Sequence, residues 1–161
     1  CYGSDVLIAT ANSFTGTVLK AEYTEGDVAN MVMPNGICAY QREMTGTELK
    51  ALVKAFVEGY EGGMTPFNRG SLPVVSGIAI KVTESDGKYT LREITKDGTP
   101  IADVDRFRVR CLALPQHMEA LPSDIASGFE AAEGTVRQDW TAFVKQGGDV
   151  LAELEQYITL K

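Results

Sequence analysis

One histidine, His117, is all the imidazole this sequence contains. A two-metal phosphohydrolase needs several imidazoles and carboxylates around its ions, and a Ser-His-Asp or Cys-His hydrolase would have to run through His117 alone. The chain also has no nucleotide-binding glycine fingerprint and no paired-cysteine metal motif. Its three cysteines, Cys1, Cys38 and Cys111, are far apart and odd in number, so no internal disulfide framework is implied. Cys38 and Cys111 lie in apolar, strand-like contexts and read as small buried hydrophobes. Positive charge is scarce: 15 Lys and Arg against 22 Asp and Glu give a net charge of −7. That balance speaks against nucleic acid and against a polybasic membrane contact. No run approaches the roughly 18 apolar residues of a membrane span, and no signal peptide is visible.

What is present is the composition of a soluble globular domain, 44% hydrophobic and 23% charged over 161 residues, long enough for one core. Asp5 to Ala11 is a short apolar run that suits a strand covered on both faces. Thr24 to Met31 reads as a short helix, Pro34-Asn35-Gly36 as a turn, and Ile37 to Met44 as a second strand. Thr45-Gly46-Thr47-Glu48 is a capping box. It opens a helix whose stripe is Leu49, Leu52, Val53, Phe56, Val57 and Tyr60. A loop rich in turn residues runs from Glu61 to Leu72. Val74 to Val82 alternates as one strand, Asp86-Gly87 fits a hairpin turn, and Tyr89 to Thr95 is the return strand. After a second turn at Asp97 to Pro100, Phe107 to Leu114 forms another strand. Ser123 starts a short helix. Thr135 and Gln138 frame a second capping box ahead of Val136, Trp140, Phe143 and Val144, with Trp140 expected in the core. Tyr157 to Leu160 is a closing strand. The class is α+β with a mixed or antiparallel sheet.

This order of motifs resembles the C-terminal domain of the 5′-nucleotidase family. The pieces that carry the likeness are Gly26-Asp27-Val28, Pro34-Asn35-Gly36, Met44 to Lys50, Pro73 to Ile78 and Asp97 to Ile101. The resemblance covers about residues 5 to 161 and makes residues 1–161 a single domain, a fragment of a larger chain without the helix that usually opens the family domain. It implies a parent with an N-terminal metallophosphoesterase domain that holds two divalent metal ions and hydrolyses phosphate esters. This chain would contribute no catalytic residue, no metal ligand and no cofactor of its own. It would dock on that N-terminal domain and recognise the substrate, in an exported or cell-surface bacterial protein.

The family's recognition motifs are altered. Its Asn-x-Gly-Gly-x-Arg loop falls on Thr10 to Thr15, with Thr15 at the arginine position. Its Pro-Phe-Gly-Asn turn reads Pro34-Asn35-Gly36-Ile37. One stacking phenylalanine falls near Leu72, and the glycine-rich segment of the other is replaced across Leu112 to Glu119. A nucleoside pocket needs aromatic faces for the base and donors for ribose and phosphate, and a guanidinium suits the phosphate best. The candidates left to supply these groups are Asn12, Ser13, Phe14 and Thr15; Asn35; Phe67, Asn68 and Arg69; and His117 in the loop after the Phe107 strand. Arg106, Arg108 and Arg110 alternate onto one face, either as a cationic stripe or paired with carboxylates on a solvated surface. Two further readings stay open: a non-catalytic binding module that keeps the scaffold, and an enzyme using Cys38 or Cys111 with His117.

Overall fold

The computed structural model describes residues 3–10, 37–58, 73–119, 121–136, 138–139 and 142. Five strands form the larger sheet: β1 (Val6–Thr10), β2 (Cys38–Thr45), β3 (Pro73–Ser76), β7 (Arg106–Ala113) and β8 (Glu130–Ala131), in the spatial order β3-β1-β7-β2-β8. β1 and β7 run parallel at its centre, and every other neighbouring pair is antiparallel. A smaller antiparallel sheet holds β4 (Ala79–Ser85), β5 (Lys88–Lys96) and β6 (Thr99–Pro100). With the helices α1 (Gly46–Glu58), α2 (Pro115–Glu119) and α3 (Ser123–Ala126), this is the expected α+β fold with mixed and antiparallel sheets.

α1 starts where the sequence says it should. The Thr45 backbone N–H donates to Glu48 Oε2 at 2.7 Å, and the Glu48 N–H donates back to Thr45 Oγ1 at 3.3 Å, so two orphan donors of the first turn are satisfied. Gly46 permits a close approach that a side chain would block: a Cβ there would stand 2.0 Å from the Ala102 carbonyl oxygen. The Gly46 N–H meets the Asp105 carbonyl at 2.8 Å, and Lys50 reaches Asp103 at 2.8 Å, which ties the helix start to the turn before β7. From there Leu49, Leu52, Val53, Phe56 and Val57 are buried. They pack with Val6, Ile8, Met44, Phe107, Val109 and Cys111 of the large sheet, and with Ile80, Val82, Leu91 and Ile94 of the small one. Each such side chain contributes about 1.5–3 kcal/mol by leaving water.

The stretch Val74 to Val82 is not one strand. It breaks at Gly77 into β3 and β4, which belong to different sheets. Gly77 sits at φ +80°, and a Cβ there would lie 2.0 Å from the Asp5 carbonyl oxygen. Alternation continues through the corner in the sequence; the chain leaves the sheet because glycine alone fits there. Asp86-Gly87 makes the expected hairpin turn between β4 and β5. The segment after β7 is the helical turn α2 and not a loop, with Pro115 in the first helical position, where its missing N–H is no loss. The helix at 24–31, Tyr60, Trp140, Phe143, Val144 and the strand at 157–160 fall outside the described residues.

Candidate functional site

The parallel pairing of β1 and β7 fixes one end of the large sheet as a meeting point. Ala9 lies beside Leu112, so both strands finish at the same level. The antiparallel neighbours begin there: Cys38 of β2 faces Ala113, and Pro73 of β3 faces Thr10. The chain beyond β8 arrives at that level too, because the Ala132 N–H donates to the Ala39 carbonyl at 2.7 Å and the Val136 N–H to the Ile37 carbonyl at 2.9 Å. Its capping box then closes, with the Thr135 N–H on Gln138 Oε1 at 2.8 Å. An apolar layer of Ala9, Ile37, Ala39, Leu112 and Val136 underlies this rim.

The loop segments singled out from the sequence adjoin, in the chain, the strand ends that meet at this rim. Asn12 to Thr15 follow Thr10, Asn35 precedes Cys38, Phe67 to Arg69 precede Pro73, and His117 follows Ala113. Asn12, Ser13, Phe14, Thr15, Asn35, Phe67, Asn68 and Arg69 themselves lie outside the described residues, as does the His117 side chain; the His117 backbone is in α2. Ligands of open sheets collect outside the carboxyl ends of parallel strands for this reason: loops of different origin leave from one place. The start of the Thr135 helix joins the same rim, a member that capping chemistry marks as a helix start and only strand register places here.

Cys111 is fully buried at the centre of β7, and burial pushes its thiol pKa up, away from the thiolate a nucleophile needs. Among the described residues no group of three or more His, Cys, Asp or Glu is placed to hold a metal ion. No helix among the described residues is long and apolar enough to cross a membrane.

On the face of the large sheet away from α1, the three arginines of β7 line up as the alternation predicts. Their surroundings differ. Arg106 and Arg108 are exposed, whereas Arg110 is buried, with Nη2 donating to Gln41 Oε1 at 2.7 Å. Arg108 is held by Asp5, its backbone N–H on Oδ2 at 2.8 Å and its Nε on the same oxygen at 3.3 Å. Those bonds, the backbone one first, lower the Asp5 pKa. Beside Arg108 and Arg110 lies a cleft of about 420 Å³ that also takes in Gln41, Arg42, Glu43 and Glu130. The arginine spacing was visible in the sequence. The acids opposite were not, because they come from β2 and β8.

No protein-family model matches this chain, and no curated protein sequence does at a significant level. Solved structures do match in shape. The NAD nucleotidase NadN of Haemophilus influenzae superposes with a TM-score of 0.59 at 18% identity, over 89% of this chain and 27% of its own. A 5′-nucleotidase precursor of Thermus thermophilus gives 0.61 at 14% identity, over 91% and 29%. The sulfate thiohydrolase SoxB, also of Thermus thermophilus, gives 0.57 at 17% identity, over 89% and 26%. This chain thus spans under a third of the length of the structures it matches, and what it shares with them is the fold of one of their parts.

Proposed function

We propose that this chain is the substrate-recognition domain of a 5′-nucleotidase-like phosphohydrolase, acting on nucleotides or related phosphate esters. The observation that supports the reading is the rim: Thr10, Cys38, Pro73 and Ala113, the strand ends next in sequence to segments 12–15, 35, 67–69 and 117, lie at one end of one sheet. The shape shared with NadN and the 5′-nucleotidase precursor supports it. So does the small share of those chains that it spans, which leaves room for a separate hydrolytic domain. In this reading the reaction belongs to that N-terminal domain and its two divalent ions, in an exported parent. The present chain holds the part of the substrate that does not react, and binding there lowers the barrier by positioning.

In this reading Phe14 and Phe67 would stack on a base, Asn12, Asn35 and Asn68 would serve a sugar, and Arg69 and His117 would serve a phosphate, in place of the family groups that Thr15 and the Leu112–Glu119 segment lack. SoxB shows that the same fold occurs in a protein named for a sulfur substrate, so the fold does not dictate a nucleotide. Calorimetry against nucleosides, nucleotides and sugar phosphates tests the reading. Saturable binding of a nucleoside or its phosphate, with no phosphate release when divalent metal is added, is the expected result. Turnover by the chain alone would overturn the division of labour, and an empty panel would favour a non-catalytic module on the same scaffold.

A further inference from the structure

After α3 the chain turns back along the outer side of β2 as β8 and then returns to the rim. Leu121 and Val136, each 5% exposed, pin the two ends of this stretch in the two apolar layers of the molecule. None of the residues between them is buried. Ile125, Ala126 and Phe129 touch the main core only as half-buried side chains, and Ala132 touches the rim layer in the same way. β8 pairs with β2 at two positions, Tyr40 with Ala131 and Gln41 with Glu130, and the Ala132 N–H adds its bond to the Ala39 carbonyl at 2.7 Å. Other bonds close within the stretch itself. The Ala126 N–H donates to the Pro122 carbonyl at 2.8 Å, and the Ser127 N–H to the Ser123 carbonyl at 2.9 Å. Exposed backbone with little apolar burial marks the low-stability end of a fold.

Arg42 of β2 reaches across to this stretch. Its Nη1 donates to the Ile125 carbonyl at 3.1 Å, at the end of α3, where carbonyls lack helical partners. Its Nη2 donates to Glu48 Oε1, while Glu48 Oε2 takes the Thr45 N–H and hydroxyl. One arm of the guanidinium fork is thus fixed by a carboxylate that the α1 capping box already orients, and the other arm is aimed at α3. Gly128 lets the strap lie close against it: a Cβ there would come within 3.2 Å of Arg42 Nε. We propose that residues 122–135 form a strap that opens as one unit while α1, β1, β2 and β7 stay folded, and that Arg42 is the latch that holds it shut. Opening leaves β2 as the edge of the large sheet between Ala39 and Gln41. The strap and its latch do not depend on the function proposed for the rim.

Native-state amide exchange of the 161-residue chain in low urea tests this. The Ser127 and Ala132 amides, corrected for local sequence, are expected to exchange at matching rates. Those rates should be at least about a hundredfold above those of Leu52 and Phe56 in α1 and should depend little on urea. Arg42→Lys keeps the charge but loses the fork, and should speed Ser127 and Ala132 by about tenfold. Val82→Ala, in the small sheet packed on α1, should speed Leu52 and Phe56 and leave the strap amides unchanged. Equal acceleration of all four amides by Val82→Ala would tie the strap to global unfolding and overturn the proposal. Exchange of Ser127 and Ala132 at the free-peptide rate in the parent chain would also overturn it, because no closed state would exist to be latched. Unchanged strap amides in Arg42→Lys would overturn the role of Arg42.

Discussion

Asp5 and Arg108 hold each other through both main chain and side chain. The Asp5 N–H donates to the Arg108 carbonyl at 2.8 Å, the Arg108 N–H returns to Asp5 Oδ2 at 2.8 Å, and the guanidinium adds contacts at 3.3 and 3.4 Å. This clamp sets the register of β1 on β7, the pair that creates the strand-end rim. It also sets an acid limit. The Asp5 pKa is lowered from 3.8, mainly by the backbone bond, so its stabilisation is fully present above that value and is lost as pH falls through the lower, folded one. Glu48 is lowered from 4.5, first by the Thr45 N–H, and acts in the same direction. Urea unfolding between about pH 5 and pH 2 should show stability falling with acid, and Asp5→Asn should make that slope shallower. An unchanged slope would mean that the clamp does not carry the charge dependence.

Thr45 caps α1, and its removal has a defined cost. Thr45→Ala loses the acceptor for the Glu48 N–H and the hydroxyl that donates to Glu48 Oε2 at 2.9 Å. A loss of about 1 kcal/mol is expected, with Thr45→Ser close to the parent. Chemical unfolding of the two variants side by side checks this.

Gly77 is the most sensitive backbone position on the described chain. Gly77→Ala would drive a methyl group against the Asp5 carbonyl at 2.0 Å in a conformation already at φ +80°. Both β1 and the β3–β4 corner would have to shift, with an expected loss of at least about 3 kcal/mol, at the upper end of single-residue effects. Asp86→Ala, at φ +52° in the solvent-facing hairpin turn, should cost no more than about 1 kcal/mol. Thermal unfolding of the pair would reveal the difference, and equal losses would contradict the crowding at the corner.

These cases show what could be read in advance. Thr45 and Glu48 are three residues apart, so their contact is written in local sequence, and the helix start and its apolar stripe follow. Gly77 belongs to an alternating run, and only its collision with Asp5, 72 positions earlier, shows why the strand ends there. The face shared by Arg106, Arg108 and Arg110 follows from a period of two. The burial of Arg110 does not follow from that period. Thr10, Cys38, Pro73 and Ala113 are far apart in sequence; that they lie at one end of the sheet is a property of strand order, which no local pattern encodes.

Cys111 has consequences for the reading as a thiol enzyme. Its buried, neutral thiol should resist iodoacetamide in the native protein and react once the chain is unfolded in urea. Mass-resolved labelling gives the answer, and rapid native alkylation of Cys111 would reopen a nucleophilic role for it.

The rim as recognition surface is tested most directly by amide chemical-shift mapping with adenosine and adenosine monophosphate. The account predicts saturable shifts at Thr10, Cys38, Ala113 and Ala132, the described residues nearest the gathered segments, and none at the β4–β5 hairpin. Shifts centred on the hairpin, or no shift at the strand ends with either compound, would contradict it.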